Sequence, residues 1–236
     1  MVAESEGATE EGCRRIEVAY EPLPYVLDPE LAMLPGAPVL HPKGPEARIA
    51  RPEANVCGEA HGELGDVELG FAEADLVYEE TYRPQRVQHA SLETHGCVVY
   101  FEESVEAGGE RIVVRSSTQV PFLTRRALYD LPRERVGGGF GSKQEILTED
   151  IAVFAALRLH RPVKLEFTRA EQFHGATTRH PFLITVKLGA RKDGTLTALQ
   201  SWVVSNTGAY GNHRPAVMFH SIGESMGVYR APHKKV

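Results

Sequence analysis

Hydrophobic and polar positions repeat with two different periods along this chain, and the switches between them mark its elements. Weak 3.6-residue spacing over residues 7–14 predicts a short helix, and alternation over 15–20 predicts a strand leaving through the turn Glu21-Pro22-Leu23-Pro24-Tyr25. From about residue 34 to 65 the periodicity fades into Pro, Gly, Glu and His, the composition of a long connection. Asp66 is placed to cap a helix over 67–74, with Leu69 and Phe71 available for burial. Strands are expected at 76–82, 96–101 and 111–116, the last two joined as a hairpin through 106–110. Pro121 at a first-turn position starts a helix to about residue 129. The clearest helix covers 147–159, with Leu147, Ile151, Phe154, Ala155 and Leu159 on roughly one side. Strands at 162–167 and 183–188 follow, and the turn Arg191-Lys192-Asp193-Gly194 leads into a returning strand over 196–205. The fold class expected is α+β, without internal repeats. An opening helix and strand with no partner strands before them suggest that the N-terminal part of a domain is missing.

Composition narrows the functional classes. The chain has 236 residues, 42% hydrophobic and 25% charged, which is ordinary globular usage and too little bias for a disordered or fibrous chain. A formal charge of −6 argues against a nucleic-acid binder, because such proteins gather a basic excess on one face. The cationic cluster at 230–235 reads as a loop. Cys13, Cys57 and Cys97 are far apart and odd in number, so neither a CxxC metal motif nor a disulfide framework is expected. No apolar run approaches the roughly 20 residues of a bilayer span, and the acidic start is unlike a signal peptide. The expectation is a soluble, cytoplasmic chain.

The segment Val136-Gly-Gly-Gly-Phe-Gly-Ser-Lys-Gln144 is the most informative. Consecutive glycines permit torsions closed to other residues and let main-chain N–H groups approach a ligand. A helix behind them would add its positive end, which suits an oxygen-rich or anionic ligand. The phosphate loop G-x-x-x-x-G-K-[ST] fails here, since Ser142 stands at the last glycine and Gln144 at the hydroxyl position. G-x-G-x-x-G fails at Ser142 as well. A serine hydrolase would want G-x-S-x-G, which does not occur.

Several motifs in shared order resemble the molybdenum-cofactor subunit of xanthine dehydrogenase/aldehyde oxidase-type hydroxylases. Gly137-Gly-Gly-Phe-Gly-Ser-Lys143 looks like that family's cofactor loop, usually GGGFGGK. His89-Ala-Ser-Leu-Glu-Thr-His95, Ser117-Thr-Gln119, Arg161-Pro-Val-Lys-Leu165, Thr168-Arg-Ala-Glu171, Arg179-His-Pro-Phe182, Gly194-Thr-Leu-Thr-Ala-Leu199 and Ser205-Asn-Thr-Gly-Ala-Tyr-Gly-Asn212 match in the same order. The resemblance covers essentially the whole chain. It implies an internal fragment: residues 1–33 as the C-terminal part of an α/β hammerhead-like domain, 34–75 as a connecting segment, and 76–236 as the N-terminal part of a molybdopterin-binding domain.

By that resemblance Gln119 corresponds to the glutamine whose amide hydrogen-bonds a molybdenum oxo group. Gly138, Gly139, Phe140 and Gly141 correspond to the main chain beside the metal and its dithiolene. Gln144 falls where purine-oxidising members carry a substrate-contacting glutamate. The implied reaction is hydroxylation of an aldehyde or N-heterocycle, possibly a purine, with water as oxygen source. The implied cofactor is a molybdenum-pterin (molybdopterin or its dinucleotide), with iron–sulfur and FAD groups on partner domains or subunits. The partners implied are the rest of the molybdenum subunit and a small-molecule substrate, with no nucleic acid and no membrane span. Two departures stand out. Residues 127–136 run into the glycine loop without the strand the family places there, and the family's general base lies beyond Val236, so no catalytic residue and no metal ligand is assigned. The alternatives are a non-catalytic assembly fragment and a glycine-loop nucleotide-binding protein. Among other residues, His89 and His95 read as buried hydrogen-bonding groups, Lys143 as a phosphate contact or a solvated lysine, Arg179 and His180 as organisers of a strand entrance, His213 and Arg214 as structural, and Phe71, Phe154 and Trp202 as core.

Overall fold

β-Branched and aromatic runs form the strands, and capped short segments form the helices between them. The computed structural model describes residues 1–43, 48–104, 108–122, 124, 136–211 and 213–236, without the side chains of 214 and 215. The helices are α1 (Glu6–Arg14), α2 (Pro29–Ala32), α3 (Val67–Ala72), α4 (Glu149–Leu159), α5 (Arg169–Gly175) and α6 (Arg214–Val228). The strands are β1 (Glu63–Leu64), β2 (Leu76–Tyr82), β3 (Gly96–Ser104), β4 (Gly109–Ser116), β5 (Val163–Glu166), β6 (Phe182–Ala190), β7 (Leu196–Ser205) and β8 (His233–Lys235). The mixture of α and β follows the periodicity. The chain divides into two compact units, one of Met1–Tyr25 with Ala90–Ala176, the other of Val26–His89 with Thr177–Val236.

The first unit carries a three-stranded antiparallel sheet in the order β4-β3-β5. Cys97 and Val99 of β3 lie on one face by the two-residue alternation of a strand. They meet Val114, Val163 and the small face of α4, Ala152, Val153, Ala155 and Ala156. Alanine at the contact lets a helix approach a sheet closely, so burial here selects the narrow face. The larger residues expected inside, Ile151, Phe154 and Leu159, are exposed at 58%, 67% and 50%. That corrects the sequence expectation.

The second unit is built on a five-stranded sheet, β1-β8-β7-β6-β2, antiparallel except for the β7–β8 pair. Its β6–β7 hairpin turns at Gly194, whose φ of +89° only glycine adopts readily. Asp66 caps α3 through the N–H groups of Glu68 and Leu69, as the sequence predicted. Val67 and Gly70 are what α3 buries, while Leu69 is exposed. A Cβ on Gly70 would come 2.7 Å from the Thr197 carbonyl oxygen, so α3 sits against β7 at glycine distance. Trp202 is more than half exposed.

Residues 15–20 do not form the expected strand; no described strand pairs with them, and Ile16, Val18 and Tyr20 are exposed. Alternation makes a strand only where a neighbour takes the backbone hydrogen bonds. Pro121, Phe122 and Thr124 are helical, while the rest of the predicted helix to 129, and the short stretch before Val136, lie outside the described residues.

Candidate functional site

The site is assembled in the first unit from the segment after β4, the segment before β3 and the glycine loop. Ser117, Thr118 and Gln119 each have a separate task. The Ser117 hydroxyl accepts from Gly96 N–H at 3.1 Å, anchoring the segment to the start of β3. The Thr118 hydroxyl accepts from Val120 N–H at 3.2 Å and so caps the turn that follows. Gln119 reaches across to the loop: its Oε1 accepts from Gly141 N–H at 3.0 Å and Lys143 N–H at 3.2 Å. Its own N–H donates to the Lys143 carbonyl at 2.8 Å.

Two main-chain donors on one amide atom require that atom to be the oxygen, which settles the orientation of the side chain. The Nε2 end of Gln119 then donates to nothing among the described residues, and the residue is exposed. Gln119 and the glycine loop, both named from the sequence as parts of one site, lie against each other. A Cβ on Gly139 would lie 2.4 Å from Gln119 Oε1, so the side chain occupies the space that only a glycine leaves open.

The loop itself is held tightly. Both the N–H and the hydroxyl of Ser142 donate to the Gly139 carbonyl, at 2.9 Å and 2.8 Å. Gly138 and Gly141 have φ of +92° and +96°, and Phe140 sits at +53° with its side chain 69% exposed. A non-glycine residue in the left-handed region is uncommon and held there by its surroundings. The N–H groups of Gly138, Gly139 and Phe140 donate to no described group, although Gly139 is buried. Unpaired main-chain donors at a buried position are the exception in folded proteins. Gln144 is half-buried and forms no hydrogen bond with a described residue.

Four residues outside the predicted set support the site. Glu93 Oε2 accepts from Gly137 N–H at 2.9 Å and from Lys143 Nζ at 2.5 Å. Lys143 is thus not a solvated lysine: its side chain is completely buried and paired with Glu93. His95, 4% exposed, places Nε2 2.9 Å from the Ser142 carbonyl and Nδ1 2.9 Å from Gln172 Oε1 on α5. Both Glu93 and His95 stand in the 89–95 motif, but their partners on the loop lie 44 to 50 positions away, and Gln172 lies 77 positions away, so no local spacing announces these pairings.

The helix after the loop does not contribute its positive end. α4 starts at Glu149, and the buried Glu149 carboxylate takes Leu147 N–H at 3.2 Å, Thr148 N–H at 3.1 Å and the Ser116 hydroxyl. Those two N–H groups belong to the residues just before α4, so a buried carboxylate already stands at the helix's N-terminal end. Cys97, beside Thr148, is raised to about 11 by burial, with Glu149 and Asp150 adding to the shift.

Residues 49–236 match the family described as molybdopterin cofactor-binding domain. The chain is 38% identical over 267 residues to a probable hypoxanthine oxidase of Escherichia coli O157:H7, an alignment covering 97% of this chain and 27% of that protein. It is 36% identical over 242 residues to one subunit of a probable xanthine dehydrogenase from Bacillus subtilis, covering 98% and 30%. Among solved structures, quinoline 2-oxidoreductase from Pseudomonas putida 86 superposes with a TM-score of 0.73 at 25% identity, covering 99% of this chain and 30% of that one. The chain thus spans 27% and 30% of the length of these two curated relatives.

Proposed function

The chain belongs to the molybdopterin cofactor-binding domain family, and from that premise we propose that it supplies one wall of the molybdenum-pterin site of a hydroxylase acting on an N-heterocycle or aldehyde. The observation that carries this reading is the donor set. The Gln119 amide nitrogen and the N–H groups of Gly138, Gly139 and Phe140 have no described partner, on a loop whose every other contact rigidifies it. Neutral donors of this kind suit a cofactor rich in oxygen, and preorganised donors cost no rearrangement when the ligand arrives.

When bound, the molybdenum-pterin supplies the redox chemistry, and the protein supplies position and polarisation. Gln119 donates to an oxygen of the cofactor while its Oε1 stays on the loop, so binding does not cost the loop its internal bonds. Gly138–Gly141 offers main chain without side-chain bulk, and the exposed Phe140 ring borders the space where substrate enters. Gln144 is the substrate-facing residue in this reading. The names of the relatives, hypoxanthine oxidase and xanthine dehydrogenase, support a purine-like heterocycle as substrate class.

In the parent protein, residues 1–33 form the end of an α/β hammerhead-like domain, 34–75 a connection, and 76–236 the first part of the cofactor domain. Iron–sulfur and flavin partners take the electrons, and the protein works in the cytoplasm. Among the described residues no helix is long and apolar enough to cross a membrane. The test is expression in a host that makes the pterin cofactor, followed by metal and pterin analysis of the purified protein. Molybdenum and pterin in equal amounts support the proposal, and their absence from intact folded protein overturns it.

A further inference from the structure

We propose that Glu93 and Lys143 are positioning residues that fix the span of the glycine loop, and that Lys143 is an internal pin and not a ligand for a cofactor phosphate. The inference rests on the reading of the loop as a cofactor cradle, but its geometry stands in this chain alone. A single carboxylate oxygen, Glu93 Oε2, receives the N–H of Gly137 at 2.9 Å and the ammonium of Lys143 at 2.5 Å. Those two residues are the first and last of the loop, so one atom holds both ends. A third bond closes the grip, from Glu93 N–H to the Gly137 carbonyl at 3.2 Å. A Cβ on Gly137 would stand 2.7 Å from Glu93 Cβ, so glycine is what lets the backbone come this close.

The two partners are buried unequally, and that sets their energetics. The Lys143 side chain has 0% exposure, whereas that of Glu93 keeps 39%. Removing the lysine leaves a carboxylate that water can reach and that still accepts from Gly137. Removing the carboxylate's charge strands a cation inside the protein, the costlier defect. With Lys143 Nζ buried and paired, the donors of the site left without a described partner are the N–H groups of Gly138–Phe140 and the Gln119 amide nitrogen. Their spacing is set by the distance between the pinned ends.

The test compares E93Q, K143M and the double variant in the intact protein, stripped of cofactor, by amide hydrogen exchange of the peptide covering 137–144. E93Q is expected to speed exchange there roughly tenfold or more, the loss of one charge-assisted bond. K143M should raise it less, and the double variant should fall near K143M, because no stranded cation remains. Peptides of β3 and β4 serve as internal references. Wild-type protection in E93Q, or a double variant with the summed effect of both singles, overturns the proposal. Should E93Q fail to fold, K143M and E93D decide it: E93D keeps the charge and is expected to restore most of the protection. Molybdenum and pterin content is measured in parallel on protein from a cofactor-producing host. Selective loss of a pterin dinucleotide in K143M with an undisturbed loop would make Lys143 a phosphate ligand and overturn the inference. Wild-type protein without cofactor would overturn the functional reading while the exchange data still judge the pin.

Discussion

Gly139→Ala tests whether the loop and Gln119 form one unit. The new Cβ would lie 2.4 Å from Gln119 Oε1 and 2.5 Å from its Cδ, distances no packing tolerates. Gln119 is exposed and not a rigid wall, so its side chain swings away and takes its two accepted bonds with it. Gly141 is exposed, and water replaces its partner at little cost. Lys143 is 1% exposed, so its N–H is left unpaired in the interior, at a cost of about 1–3 kcal/mol. Against that, alanine lowers the entropy of the unfolded chain, which returns about 0.4–1 kcal/mol. The net expectation is a destabilisation of about 1–2 kcal/mol, read as a lower urea midpoint at unchanged slope. In a Gln119→Ala background the clash partner is gone, and Gly139→Ala is expected to be neutral or slightly stabilising. An equal cost in both backgrounds would refute the coupling, as would unchanged protection of the Lys143 amide in Gly139→Ala.

Three further outcomes follow from the packing and the titration of buried groups. Burial holds the Cys97 thiol at about 11. Since an unfolded thiol titrates at about 8.5, the contribution of Cys97 to stability is complete below that pH and falls away as pH rises toward the folded value. Urea unfolding across that range shows the decline, Cys97→Ala abolishes this component, and iodoacetamide near neutrality labels exposed Cys13 but not Cys97. Ala156→Leu, at a position of 0% exposure on the buried face of α4, is expected to cost about 1–3 kcal/mol by overpacking, whereas Phe154→Ser on the exposed face changes stability by less than about 0.5 kcal/mol; equal effects would reverse the assignment of the buried face. Gly70→Ala drives a Cβ to 2.7 Å from a backbone oxygen and lowers the melting temperature, while Gly223→Ala, with nothing within 4 Å, raises stability by up to about 1 kcal/mol; thermal melts of both variants check the pair.

Much of the site was legible because its parts are local. The glycine run must take backbone torsions other residues avoid, and Gly138 and Gly141 do. The Asp66 cap and the Arg191–Gly194 turn are likewise decided within a few residues of themselves. Phe154 and Leu159 were misread because periodicity identifies faces of a helix without saying which one a sheet will cover. In α4 the alanine face is covered, since small side chains allow the closest approach to Cys97 and Val99. The expected helix-end charge at the loop was misread for a related reason: α4 starts only at Glu149, whose carboxylate folds back on the two residues before the helix and on Ser116, a contact no local spacing announces.

By itself, then, the order of residues determined six of the strands, α1, α3 and α4, the torsions of the glycine loop and the family resemblance. Those depend on short-range torsional and hydrogen-bonding preferences and on motifs that survive as text. Only the tertiary structure decided that Lys143 is paired inward with Glu93, that His95 bridges Ser142 and Gln172, and that Gln119 keeps its oxygen on the loop and its nitrogen without a described partner. Each of those outcomes joins groups far apart along the chain. Whether a charge is buried or solvated is a property of the space around it, which folding creates.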